Sequence, residues 1–200
     1  MSLDQLTSQI TKLRTRAASL QDEWSRLIRN VGRDSRLTDE GKRVELDREF
    51  AAVKKELATL RDREKDLVRD QKESLERLLF GLNGSDPNKI IAYRDAQDRA
   101  ARVKDKAAAL EVYHSAQISN DDSLTKAILA KAVEYGYREI IDDYIRRHPT
   151  WGEELNDLVG IQRYSSDGNV GLQRTLAYAI VRGVATGDAA DAFIDLSGRL

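Results

Sequence analysis

The sequence predicts an all-α protein: a long antiparallel coiled-coil hairpin, a third helix packed near its base, and a small C-terminal helical domain. Three observations predict it. Charged residues make up 34% of the chain and aromatics 6%, with two prolines, a profile of long exposed helices. An unbroken three-four spacing of apolar residues fills residues 3–31. Strong breaks then fall around Gly81–Pro87, and seven of the twelve glycines follow residue 150.

Leu3, Leu6, Ile10, Leu13, Ala17, Leu20, Trp24, Leu27 and Val31 define the first helix. This a/d pattern keeps one apolar seam toward a partner helix. Trp24 is bulky for a two-helix core, so a third helix or a neighbouring chain is expected against it. Gly32 and Arg33-Asp34-Ser35-Arg36 end the helix. Thr38 is the expected N-cap of the second helix, with Asp39 and Glu40 in its first turn. Leu46, Phe50, Val53, Leu57, Leu60 and Leu67 continue the heptad. A connection this short returns the helices antiparallel. Lengths of roughly 43 and 64 Å are expected at 1.5 Å per residue, so the second helix overshoots. Glu64 and Gln71 stand where the heptad wants apolar residues, while Val68, Leu75 and Leu79 fall off register. This reads as a stutter, where the helix changes packing partner.

Pro87 suits the first position of a third helix, expected to run to about Gln117 with Tyr93, Ala96, Ala100, Val103, Ala107 and Leu110 as its weak seam. Asp121-Asp122 opens a further helix over Leu124–Val133, and shorter ones follow around Ile140–Ile145 and Trp151–Ile161. Ser165–Asn169 reads as a flexible loop, and Leu172, Leu176, Ala179, Ile180 and Val184 as the face of a docking helix. The expected domains are the hairpin (1–84), the third helix with the short-helix domain (85–165), and the loop, docking helix and tail (166–200).

Chemistry is expected to be sparse. The chain has no cysteine, which removes thiolate nucleophiles and thiol metal sites. Its two histidines, His114 and His148, fall in different elements, and no phosphate loop, nucleophile elbow or His-Glu-x-x-His run occurs. Asp121-Asp122 reads as a helix start, and adjacent Asp142 and Asp143 diverge too far on a helix to share an ion. His148 reads as a helix-end cation. No catalytic, cofactor-binding or metal-binding residue is assigned, and no small-molecule substrate is expected. Arg26, Arg29, Arg33, Arg36, Lys42 and Arg43 gather at the hairpin turn, but without interleaved aromatics nucleic acid is disfavoured. No apolar run approaches the roughly 18 residues a membrane span needs. The N-terminus lacks signal-peptide character, so a cytoplasmic location is expected.

Association through other protein chains, copies of itself included, is the expected activity. The seam residues Leu6, Ile10, Leu13, Leu20, Trp24, Leu27, Leu57 and Leu60 are one candidate contact set. Tyr137, Tyr144, Trp151, Leu176 and Ile180 are the C-terminal set, with Tyr135 completing an aromatic cluster read mainly as core. An adaptor with a dimerising coiled coil is the alternative to a structural role.

Leu37-Thr38-Asp39-Glu40-Gly41-Lys42-Arg43, Phe80-Gly81-Leu82 and Ile91-Ala92-Tyr93-Arg94-Asp95-Ala96-Gln97-Asp98-Arg99 carry a resemblance over about residues 1–150. In these runs the chain resembles small helical proteins encoded among the virion genes of actinobacterial phages and prophages. The resemblance implies a role in head or tail assembly, as a scaffolding-type or minor virion component. Scaffolding proteins typically carry a basic C-terminal helix. Residues 121–200 here hold nine basic and thirteen acidic groups.

Overall fold

The structure is a computed structural model that describes residues 2–81, 86–182 and the backbone of Ile194–Asp195. Among the described residues it contains eight α-helices, as the all-α expectation requires. They are α1 (Leu3–Arg33), α2 (Asp39–Phe80), α3 (Pro87–Ala101), α4 (Lys106–Ile118), α5 (Asp122–Tyr135), α6 (Arg138–Arg147), α7 (Gly152–Ser166) and α8 (Gly168–Ala177). A single 3₁₀ turn, Pro149–Trp151, joins α6 to α7. A two-residue antiparallel ladder pairs β1 (Ile180–Val181) with β2 (Ile194–Asp195). The chain divides into two compact units, Leu3–Val68 with Asp167–Leu200, and Arg69–Ser166. The second division falls within one residue of the 165/166 boundary read from sequence, while the first lies well before 84/85. The first lies inside α2, in the stretch where the heptad shifts.

In the first unit, Leu6, Ile10, Ala17, Leu20, Trp24 and Val31 are the buried residues of α1. Four contacts order α1 against α2: Arg14 with Glu64, Arg16 with Glu56, Trp24 with Phe50, and Lys42 with the Gly32 carbonyl. The α2 member moves back as the α1 member advances, so the two run antiparallel over these residues. Thr38 caps α2 by accepting the Gly41 N–H at 3.2 Å. Asp34 accepts the Arg36 N–H at 2.9 Å and shortens the turn. Buried positions on α2 run Leu46, Leu57, Glu64 and Val68 in the first unit, and Gln71, Leu75 and Leu79 in the second. The polar residues thus stay inside: after Glu64 the order of three- and four-residue steps reverses, and the two successive four-residue steps Gln71–Leu75–Leu79 keep the off-register Val68, Leu75 and Leu79 inward.

The second unit is built around α5. Its Leu124, Thr125, Ile128, Leu129, Ala132 and Val133 are buried, and α3, α4, α6 and α7 all pack on it. Asp121 caps its start by accepting the Leu124 N–H at 2.9 Å. Gly136 ends it at φ +74°, and the Tyr137 N–H returns to the Ala132 carbonyl at 2.8 Å, a Schellman closure that favours glycine. Asn120, at φ 53°, closes α4 the same way, with the Asp121 N–H on the Ala116 carbonyl. The helix pairs α4–α5 and α6–α7 follow in succession.

One expectation fails here. The single helix predicted from Pro87 to about Gln117 is two, α3 and α4. Asp105 begins α4 by accepting the Ala108 N–H at 2.9 Å, offering the backbone an alternative to continuing α3. Lys131 of α5 donates to the carbonyls of Ala100, Ala101 and Val103 around the break.

Candidate interaction surfaces

The first surface is in the unit formed by α1, α2 and the segment after α8. Residues 178–182, which follow α8, lie as a strap against α1. Gln21 donates its side-chain N–H to the carbonyls of Ala177 and Ala179, at 3.2 and 2.7 Å. The Trp24 indole donates to the Val181 carbonyl at 2.8 Å. Arg182 reaches Asp47 at 2.6 Å. Glu64 anchors the middle of the strap. Its side chain is 0% exposed, and its carboxylate accepts the two-pronged Arg14 guanidinium at 3.0 and 2.9 Å. It also accepts the Tyr178 hydroxyl at 2.8 Å. A carboxylate so enclosed is tolerable because its oxygens are met by a charge-matched fork and a hydroxyl. Beside the strap lies an open groove of about 510 Å³, lined in part by Trp24, Ile28, Leu176, Ile180 and Val181.

These contacts correct the expected docking helix. α8 ends at Ala177, and Ile180 belongs to β1, not to a helix face with Leu176. Leu172 and Leu176 are 59% and 53% exposed, whereas Tyr178 and Ile180 are buried. The helix stops because Gln21 captures the carbonyls of Ala177 and Ala179, and Glu64 holds Tyr178. Val184 lies outside the described residues. The expected loop at Ser165–Asn169 is also ordered otherwise. Ser165 and Ser166 finish α7, and Asp167 caps α8 by accepting the Asn169 N–H at 2.8 Å.

Of the other seam candidates, Leu6, Ile10, Leu20, Trp24 and Leu57 are buried, while Leu13, Leu27 and Leu60 are half-buried. Trp24 does have a third contact beyond α2, but it is the strap of the same chain and not a helix. Gln21, Arg14, Glu64 and Tyr178 were not among the candidates. Glu64 carried the one readable signal, a carboxylate at a core heptad position, which requires a buried partner.

The second unit presents a cleft of about 510 Å³, lined in part by Phe80, Tyr93, Lys126 and Tyr135. Tyr135 is exposed and stacks on half-buried Tyr137 at 5.9 Å, with the Lys131 ammonium 5.6 Å from its ring. The aromatic cluster read as core is therefore divided. Tyr144 is buried, Tyr135 and Trp151 are exposed, and the buried aromatic of α4 is Tyr113. Near Tyr144, His148 and Trp151 a smaller groove of about 330 Å³ opens, while Ile118, 85% exposed, lines a separate groove with Tyr113 and His114.

Tyr113 donates to Asp143 at 3.1 Å, and Arg146 and Arg147 of α6 pair with the same carboxylate. Burial works against the Asp143 charge, but hydrogen bonds from Arg147 and Tyr113 and the nearby arginine charges hold its carboxyl below the usual value. Burial, followed by the Asp143 charge and hydrogen bond, pushes the Tyr113 phenol up. Asp143 is thus engaged by α4 and α6 side chains, and Asp121 by the α5 terminus. At the basic turn Arg36 pairs with Asp34, Arg43 with Glu40, and Lys42 with the Gly32 carbonyl. No helix among the described residues is long and apolar enough to cross a membrane. His148 ends α6, its N–H on the Tyr144 carbonyl and its ring 4.4 Å from the Tyr144 ring. No protein-family model, no curated protein and no solved structure matches this chain.

Proposed function

We propose that this chain is a non-enzymatic structural or assembly protein that works by helical contacts with other protein chains, including copies of itself, α1 and α2 forming a coiled-coil hairpin. The observation that carries the reading is the apolar rim of the strap groove. Leu176 and Val181 are exposed there beside half-buried Ile28. Apolar side chains grouped at a groove mark association surfaces more than scattered ones do. The resemblance to virion-gene products of actinobacterial phages suggests the setting, a head or tail component or an assembly intermediate in the cytoplasm. Light scattering over a concentration series tests the proposal. Growth in mass with concentration is expected, and a monomer at every concentration would count against it.

The alternative is an adaptor in which the second unit holds a peptide. The groove beside Tyr144, His148 and Trp151 favours it. A fixed dimer that loses a protein partner on Trp151→Ala would point that way.

A further inference from the structure

We infer that the groove beside the strap takes an acidic amphipathic helix of a partner protein, its apolar stripe in the groove and its carboxylates on a row of arginines along α1. The assignment rests on the groove being the association surface proposed above, and names the chemistry of its occupant.

Among the described residues, Arg29 is the one ionisable side chain that lines the groove. Arg26 and Arg33 lie three residues before it and four after it, on the same side of α1. All three are exposed, and none forms an ion pair among the described residues. Asp22, four residues before Arg26, is an exposed carboxylate on that side, and the row stays net positive. Arg14 and Arg16 of the same helix are, by contrast, both paired. The helix dipole accounts for Arg33, which stands in the last turn. It does not account for Arg26 and Arg29, because its effect falls off within one turn. Beside the row, Leu176 and Val181 are exposed and Ile28 is half-buried. An apolar groove with cations along one edge complements a helix whose apolar stripe is flanked by carboxylates.

Other occupants fit less well. The strap offers no strand edge, since Gln21 and Trp24 take the carbonyls of Ala177, Ala179 and Val181 on one side and β2 pairs with it on the other. Recognition therefore falls to side chains, which suits a helix and not an added strand. A twofold contact between the grooves of two copies would set the arginine rows against each other. Nucleic acid would meet the arginines without a ring to stack on, because Trp24 is buried with its indole on the Val181 carbonyl.

Calorimetric titration of the full chain with synthetic helical peptides tests this. One peptide carries leucine along one face and glutamate beside it. A second has lysine for each glutamate, and a third has serine for each leucine. The glutamate peptide is expected to bind, and the other two at least about tenfold more weakly. Leu176→Ser, at the exposed rim, should weaken the glutamate peptide about tenfold as well. The chain with Arg26→Glu, Arg29→Glu and Arg33→Glu should reverse the preference and take the lysine peptide, a gain that a misfolded chain would not show. Equal binding of the glutamate and lysine peptides overturns the acidic occupant and leaves the groove an association surface. Equal binding of the leucine and serine peptides overturns the inference too, since charge alone would then suffice. So does preference for a short DNA duplex over the glutamate peptide, lost in the triple variant. If no peptide binds, the inference falls, and light scattering separates its failure from that of association: growth in mass keeps association, and a monomer at every concentration removes both.

Discussion

The two units hold their helices in register by different means. In the first, two long helices share a seam that would tolerate sliding by a heptad, since leucine repeats along it. What opposes sliding is Glu64, which is acceptable inside only opposite Arg14 and beneath Tyr178. A heptad slip would separate the carboxylate from its fork and leave a buried charge unmatched. The second unit has short helices, and its central α4 and α5 are fixed by their ends: Asp105 and Asp121 at N-termini, Asn120 and Gly136 in the left-handed region at C-termini. Its interior, Ile128, Leu129, Ile140, Leu155 and Leu158, is apolar. Long repetitive helices need a polar residue to say where to stop, whereas short ones are positioned by their caps.

That contrast is open to measurement because each unit holds one of the two tryptophans, Trp24 in the first and Trp151 in the second. Trp151→Phe leaves a reporter for the first unit, and Trp24→Phe one for the second. The largest effect is expected from Arg14→Met. Leaving Glu64 buried without its cation should cost about 4 kcal/mol in denaturant unfolding followed by Trp24 fluorescence. Adding Glu64→Leu should restore most of that loss, because an apolar pair replaces an ionic one. No recovery would show that the ion pair, and not merely its matching, stabilises the seam. Ile128→Ala should cost about 3 kcal/mol in the second unit, read by Trp151, through the cavity it leaves. Asp121→Ala should cost about 1 kcal/mol in the same unit, by removing the α5 cap.

The smallest expected effect is a pH dependence of the second unit. The Asp143 carboxyl is held below its unfolded value. Its stabilisation is therefore complete above that value, about 3.9, and is lost as pH falls through the folded value. Tyr113 is displaced upward, so stability should also fall as pH rises past the unfolded phenol value, about 10. Asp143→Asn should flatten the acid limb of the Trp151 unfolding midpoint and leave that of the first unit unchanged.

The same contrast explains what could be read from the chain alone. The seam of α1, the Thr38 cap and the Asp121 helix start were legible because each depends on residues within a few positions. The stutter near Glu64 and Gln71 was legible as a disturbance, but not its filling, since Arg14 is 50 residues away. The strap was illegible for a stronger reason. Leu172, Leu176 and Ile180 satisfy a helical period, and only Gln21 and Trp24, some 156 residues distant, convert the second half to extended chain. The break between α3 and α4 lay nearer the surface of the text. Asp105 is a good cap residue, but the alanines around it supported one continuous helix.

The Lys131 ammonium has a consequence for the order in which the second unit forms. Most helix ends are finished by their own neighbours, as α4 and α5 are. α3 is closed locally, the Arg102 N–H on the Arg99 carbonyl and the Val103 N–H on the Ala100 carbonyl, and also takes a donor from α5, 28 to 31 residues downstream of the carbonyls it serves. The last turn of α3 gains this additional donor only when α5 docks. The junction at Ala100–Val103 then becomes a late, cooperative step, tying the fate of α3 to that of α5. In hydrogen exchange, the amides at the end of α3 should open together with those of α5, and Lys131→Met should uncouple the two.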